Sequence, residues 1–127
     1  MNARLKIIQD VLADGGMDYA DSDDRMKLLL EAAYILANHD NTRAHDYALE
    51  ALRYARSSGD TMLELESALA VAVISAQAAQ FDEALPRFFQ ISKQAEMLQA
   101  PRVQASALRW TAVCYVRIAM FTTALEY

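Results

Sequence analysis

The chain has 127 residues, of which 24 are Ala and 15 are Leu, whereas only 3 are Gly and 2 are Pro. This excess of helix formers over helix breakers predicts long helices joined by short turns. Val, Ile and Thr number 17 and are scattered, so the alternating runs that a sheet requires are missing. Composition therefore excludes an all-β or doubly wound α/β fold, and the 54% of hydrophobic residues excludes a disordered chain.

The net charge of -5, from 12 basic and 17 acidic residues, gives no general attraction to nucleic acid or to anionic membranes. Only the end of the chain is locally basic, because residues 101–127 carry three Arg and one Glu. Cys114 is the one cysteine, and the first 20 residues lack a secretory pattern, so we expect a cytoplasmic protein. The longest apolar run has 7 residues, whereas a membrane span needs roughly 20.

Polar caps and breakers divide the chain into predicted helices. Their ranges are 3–14, 22–38, 42–57, 61–79, 82–98, 101–120 and 122 onward. Gly59 and Asp60 are expected to stop one helix, and Thr61 with Glu64 has the spacing of a capping box at the start of the next. Pro86 predicts a helix that begins at 82 or 83, so that the proline falls within the first turn.

Small residues recur with a period of 40 residues, which indicates an internal repeat. Two threefold columns are Ala32, Ala72 and Ala112, and Ala44, Ala84 and Ala124. Small side chains at these places would let two helices cross closely, and stacked hairpins would then bury their apolar stripes together. We therefore expect one all-α domain, an α-α superhelix of three hairpins. Its parts are a capping helix at 3–14, repeats at 22–57 and 61–98, and a truncated third repeat at 101–127.

The repeated residues resemble a tetratricopeptide repeat (TPR) of the longer kind. The segment Ser67–Leu85 resembles the first helix, the turn and the aromatic-x-x-Ala-Leu start of the second helix of that family. Ala55–Asp60 is similar to its Ala-x-x-x-Gly-Asp linker. In the third unit, the residues at the family's small and aromatic positions are Ala112, Tyr115, Phe121 and Ala124.

The resemblance implies a solenoid whose first helices line a concave, protein-binding face. The corresponding residues here are Leu29, Ala33, Leu36, Leu69, Val73, Gln77, Arg109, Val113 and Arg117. Because this face is mostly apolar, it suits an amphipathic helix of a partner protein or a second copy of the chain, giving a homodimer. Such repeats resemble N-terminal input regions of bacterial signalling proteins, for example those before diguanylate cyclase domains or in transcription activators. Because the chain covers only about two turns of the second helix of the third repeat, we expect an N-terminal fragment of a longer protein.

Three alternatives remain open for this face. A sensor could bind a small peptide or metabolite there through Gln77, Arg109 and Arg117, and pass the change to an output domain. Arg109 and Arg117 lie eight residues apart, about two helical turns, and could pair with a partner's carboxylates or could be solvated arginines. The apolar residues could equally be buried against the neighbouring helix.

The remaining chemistry favours neither an enzyme nor a cofactor. The acidic residues Asp18, Asp21, Asp23 and Asp24 lack the Gly and Glu positions of a calcium loop, so we interpret them as helix-start carboxylates. His39 and His45 lie six residues apart, which does not place both on one helical face, so no metal site is expected. Cys114 has no histidine spaced to activate it and is interpreted as a buried thiol.

A stacking platform for nucleic-acid bases would need exposed aromatic residues along one surface. Trp110, Tyr115 and Phe121 are spaced by 5 and 6 residues, which matches packing between helices better. The sequence therefore predicts no nucleic-acid partner and no catalytic set.

Overall fold

A computed structural model describes residues 3–13 and 22–126 of the chain. Within these ranges the protein is all-helical and no strand is present, which confirms the predicted all-α class. The helices are α1 (Ala3–Ala13), α2 (Ser22–Leu36), α3 (Asn41–Ser58), α4 (Thr61–Gln77), α5 (Phe81–Met97) and α6 (Pro101–Glu126). In this part of the chain, none of these helices is both long and apolar enough to cross a membrane.

The junction between α3 and α4 is formed by Gly59 and Asp60, as the sequence predicted. Gly59 ends α3 in the left-handed conformation, with φ of 76°, which a glycine adopts without steric cost. The Asp60 carboxylate accepts hydrogen bonds from the backbone N–H groups of Met62 and Leu63, at 3.0 and 3.1 Å. Asp60 is thus the N-cap of α4, and the capping box predicted from Thr61 is wrong, because Thr61 is already the first helical residue.

Pro86 lies deeper in its helix than the sequence predicted. Because α5 begins at Phe81, the proline is the sixth residue and falls in the second turn. Its ring nitrogen cannot donate to the Asp82 carbonyl four residues earlier. Asp82 is exposed, so water can satisfy that carbonyl and the helix continues.

The predicted break near residue 121 is absent, and α6 runs without interruption for 26 residues. The prediction followed the likeness between Ala119 and Phe121 and the earlier pair Ala79 and Phe81. No Gly, Pro, Asn or Asp lies between residues 102 and 126 to end the helix. The second helix expected from residue 122 is therefore the last part of α6.

Each helix packs against the next one along the chain, and α4 also contacts α2 and α6. The helices α2, α4 and α6 thus form one layer, and α3 and α5 lie on the other side of it. From α2 to α6, the connection between consecutive helices is three or four residues long, except for the two-residue junction of α3 and α4. Such short connections make these consecutive helices antiparallel. This packing is consistent with helical hairpins that follow one another in series.

The core is continuous through α4, which contributes to the apolar clusters on both of its sides. Val71 and Ile74 pack with residues of α1, α2 and α3, whereas Ala72 packs with residues of α5 and α6. The first two members of each alanine column are fully buried, but Ala112 and Ala124 are exposed. The segment predicted as the third repeat therefore lacks, at these two positions, the cover that the first two predicted repeats have.

Candidate functional site

A groove of about 540 Å³ crosses the layer formed by α2, α4 and α6. Each of these helices contributes residues to its lining, and the turn before α6 contributes Ala100. The lining residues are Leu30 and Tyr34 from α2, Met62, Glu66 and Leu69 from α4, and Pro101, Arg102, Val103 and Ser106 from α6. Residues three or four apart lie on one face of a helix, so the α2 residues and the α4 residues each point to one side of the layer. The α6 residues include the first three of that helix and come from its start.

The groove is apolar with two opposite charges. Glu66 projects from the middle helix, and Arg102 projects from the first turn of α6. Neither residue forms an ion pair within the described part of the chain. A ligand in the groove could therefore meet an acceptor and a donor that are not already paired with each other.

Tyr34 is the aromatic residue of the groove, and 46% of its surface is exposed. Partial burial raises the pKa of its phenol, and the negative charge of Glu66 raises it further. The hydroxyl is therefore protonated at neutral pH and can donate a hydrogen bond. Its ring offers a large apolar surface to a ligand.

Four of the residues predicted to line a groove lie in the core instead. Leu29 and Ala33 are fully buried, and Leu36 and Val73 are 5% exposed. Leu29 packs with Met26 of its own helix and with Ala51 and Ala55 of α3. This placement is the burial that the sequence left open as an alternative. The three α2 residues pack with α3 and its neighbours, whereas Val73 of α4 packs with residues of α5 and α6.

The other predicted groove residues are spread along α4 and α6. Leu69 lines the groove, whereas Val113 is half-buried further along α6. The Gln77 Oε1 atom is buried and makes no hydrogen bond with described residues. The structure does not bring Gln77 into the groove with Leu69.

Arg109 and Arg117 have different surroundings, although both belong to α6. Arg109 is exposed. Arg117 is half-buried and donates from Nη1 to the Ala76 carbonyl at 3.1 Å, which satisfies an acceptor in the last turn of α4. Arg117 therefore joins two helices, and the two arginines do not form one recognition pair.

The sequence contains a signal for the groove residues that were not among the predicted ones. Met62 and Arg102, and likewise Glu66 and Ser106, are separated by the same 40 residues as the alanine columns. In α2 the run of three leucines at 28–30 obscured the register, and the buried stripe is Met26, Leu29, Ala33 and Leu36. Leu30 and Tyr34 follow that stripe by one residue and thereby face the groove.

The candidates for metal chemistry are not brought together. In the described part of the chain, no group of three His, Cys, Asp or Glu could hold a metal ion. His39 is exposed in a turn, and His45 is half-buried in α3. Asp24 is exposed near the start of α2, whereas Asp18 and Asp21 lie outside the described residues.

Cys114 and Trp110, four residues apart, lie on the side of α6 that faces the core, whereas Tyr115 lies on another side. Cys114 is fully buried, and burial raises the pKa of its thiol despite the opposing charge of Arg117. Trp110 packs against the core, as expected from its spacing. Tyr115 and Phe121 were expected in the core but are 53% and 52% exposed. No described helix covers the side of α6 on which Tyr115 lies. The Phe121 ring is partly covered by that of Phe81 at the start of α5, with ring centroids 6.2 Å apart.

Comparison of the chain with protein-family models, curated proteins and solved structures gave no match.

Proposed function

We propose that this protein is a short TPR-like solenoid that binds an amphipathic helix of a partner protein in the groove across α2, α4 and α6. The observation that carries the proposal is the lining itself, in which apolar side chains from three helices surround two unpaired opposite charges. The packing of α4 against both α2 and α6 supports the solenoid. A cytoplasmic signalling protein of bacteria is the setting that the resemblance suggests.

The width of the groove suits a short helix. Neighbouring helix axes lie about 8–10 Å apart, so the path from α2 through α4 to α6 is about 20 Å long. A bound helix rises 1.5 Å per residue, and about thirteen of its residues would span that path. Its apolar side would contact Leu30, Tyr34 and Leu69.

The two charges specify the polar residues of the partner. A Lys or Arg of the bound helix would face Glu66, and an Asp or Glu would face Arg102. Both pairs lie at a surface open to solvent, so they would contribute specificity more than affinity. The apolar contacts would supply most of the binding free energy.

The test is a selection from a library of amphipathic helical peptides about thirteen residues long, followed by binding measurements with variants. Tyr34→Ala removes the aromatic contact and should lower the affinity for the selected peptides about tenfold or more. Tyr54→Ala is the matched control, because Tyr54 is also a partly exposed tyrosine but lies on α3, outside the groove. Equal affinity of both variants for every selected peptide would contradict the proposal.

A charge reversal tests the specified polar contact. Glu66→Lys should lower the affinity for peptides that carry a basic residue opposite position 66. It should raise the affinity for peptides in which that residue is acidic. Glu96→Lys makes the same change on the exposed side of α5 and should alter neither class.

A second candidate is a sensor for a small peptide or metabolite. The volume of about 540 Å³ is within the range of small-molecule sites, and Ser106 adds a hydroxyl near Arg102. This function predicts that a selected peptide as short as three or four residues binds as tightly as the thirteen-residue one. Affinity that grows with peptide length would favour the helix.

A further inference from the structure

The outward side of α6 carries a heptad stripe that the groove does not use. Ala105, Ala112 and Ala119 lie seven residues apart, and each is followed three residues later by Leu108, Tyr115 or Thr122. All six side chains are exposed. Alternating steps of three and four residues keep such a stripe on one side of a helix, in the pattern by which helices pair in coiled coils. We refer to these six residues as the α6 seam.

The corresponding face of α4 is buried. Ala72 and Ser75 precede Ala112 and Tyr115 by 40 residues and are 0% and 1% exposed, whereas Tyr115 is 53% exposed. The difference arises because α4 is packed between α3 and α5, while α6 contacts only α4 and α5 among the described helices. The fold thus covers this face on α4, whereas the described helices leave the corresponding face of α6 exposed.

We propose that the α6 seam binds the same seam of a second copy, with the two α6 helices antiparallel. When Ala112 lies level with Tyr115 of the second copy, Leu108 lies level with Ala119, and Ala105 with Thr122. Every alanine then faces a larger side chain, and the same contacts occur twice about a two-fold axis. A parallel pair would instead place alanine against alanine and tyrosine against tyrosine.

The charges of α6 are compatible with this arrangement. The seam itself is uncharged, Arg102 lines the groove, and Arg117 donates to the Ala76 carbonyl. Arg109 lies beside the seam, and in the antiparallel register it is level with Ile118 of the second copy. The two Arg109 residues are then about 14 Å apart along the axis, beyond the distance of about 8–10 Å over which salt screens charges.

The size of the seam determines how tightly two copies should associate. Residues 105–122 extend over about 26 Å of helix. A single pair of helices of that length buries less than the roughly 1,200 Å² at which stable complexes begin. We therefore expect a dimer that dissociates on dilution, with a Kd between about 1 μM and 1 mM. Because the groove lies on a different side, dimerisation and peptide binding should be independent.

Light scattering after size-exclusion chromatography, from about 10 μM to about 1 mM, tests the dimer. Ala112→Glu places a charge at the centre of the seam and should give a monomer, with Kd raised at least tenfold. Ala124→Glu is the matched control, since Ala124 is an exposed alanine of the same helix outside the seam, and it should leave the dimer intact. Circular dichroism checks that both variants remain helical.

Cross-linking tests the direction of the helices. A mixture of Ala112→Cys and Tyr115→Cys chains should form an intermolecular disulfide, because the two positions are level in an antiparallel pair. Neither variant alone should cross-link, and the native Cys114 is buried and should not react. Cross-linking of Ala112→Cys with itself would overturn the antiparallel arrangement. A monomer at every concentration, or a dimer that Ala112→Glu does not affect, would overturn the proposal.

Discussion

Ser75 shows how a single polar atom limits the stability of the core. Its hydroxyl oxygen is buried in α4 and makes no hydrogen bond with described residues. A buried polar group without a partner loses its contacts with water and gains nothing in return. Ser67 lies on the same helix and is also buried, but its hydroxyl donates to the Met26 sulfur at 3.8 Å. The two serines therefore differ in partner while sharing a helix.

We expect Ser75→Ala to raise the free energy of unfolding by about 1 kcal/mol, because it removes the unsatisfied hydroxyl. Alanine also favours a helix more than serine does, so part of the gain is independent of burial. Ser67→Ala has the same advantage in helix preference but removes a weak contact with Met26. Its free energy of unfolding should therefore rise less than that of Ser75→Ala. Urea unfolding of both variants measures the difference, and an equal gain would show that the Ser75 hydroxyl has no cost.

At the scale of the elements, the turns between helices use the left-handed conformation in different ways. Gly59 has φ of 76°, and nothing lies within 4 Å of the position that its Cβ would occupy. Ala79 and Gln99 adopt similar values of 62° and 54°, although side chains disfavour this region by about 1–2 kcal/mol. These two strained residues lie in the turn between α4 and α5 and in the turn between α5 and α6.

Exchanging glycine and alanine at two of these turns should change stability in opposite directions. Gly59→Ala should lower the free energy of unfolding by about 1 kcal/mol through backbone conformation alone, since there is room for the methyl group. Ala79→Gly should raise it by about 0.5 kcal/mol, because relief of the turn exceeds the added freedom of the unfolded chain. Thermal unfolding checks both signs. Ala78→Gly is the control and should be destabilising, because Ala78 has φ of -85°.

Helix boundaries could be predicted where the sequence contains a local stop. Gly59 and Asp60 provide a left-handed residue and a capping carboxylate, so the junction of α3 and α4 was clear. The turn at residues 78–80 has no such residues and depends on α5 packing back on α4. The same pattern recurs at residues 118–121, but no described helix follows α6 to pack back on it as α5 does on α4, and α6 continues. Local similarity alone could not distinguish these two cases.

For the whole molecule, the number of neighbours of each helix determines its local stability. α4 contacts four other helices, whereas α6 contacts two and its residues from Ala119 to Leu125 are all exposed. Backbone hydrogen bonds that open without exposing a core need little free energy. We expect hydrogen exchange to be slowest in α4, at the rate of global unfolding, and at least a hundredfold faster from Ala119 onward. Comparable protection of the two segments in dilute protein would contradict this gradient.

The position of the groove could be predicted only in part. The sequence identified the layer of α2, α4 and α6, and Leu69 as one lining residue. It placed the α2 side of the groove one residue early, at Leu29 and Ala33, because the contact with α3 determines which side of α2 is buried. The sequence also could not show that Arg117 donates to the Ala76 carbonyl, since that hydrogen bond joins residues 41 positions apart in two different helices.

The shared core of α4 also affects the order in which the chain can fold during synthesis. Helices α1, α2 and α3 lie in the first half of the chain, but their apolar cluster is completed by Ala70, Val71 and Ile74. While these residues have not yet emerged from the ribosome, the cluster formed by the first three helices is exposed to water. We therefore expect protease resistance of stalled chains to appear only once α4 has emerged from the exit tunnel, rather than one hairpin at a time.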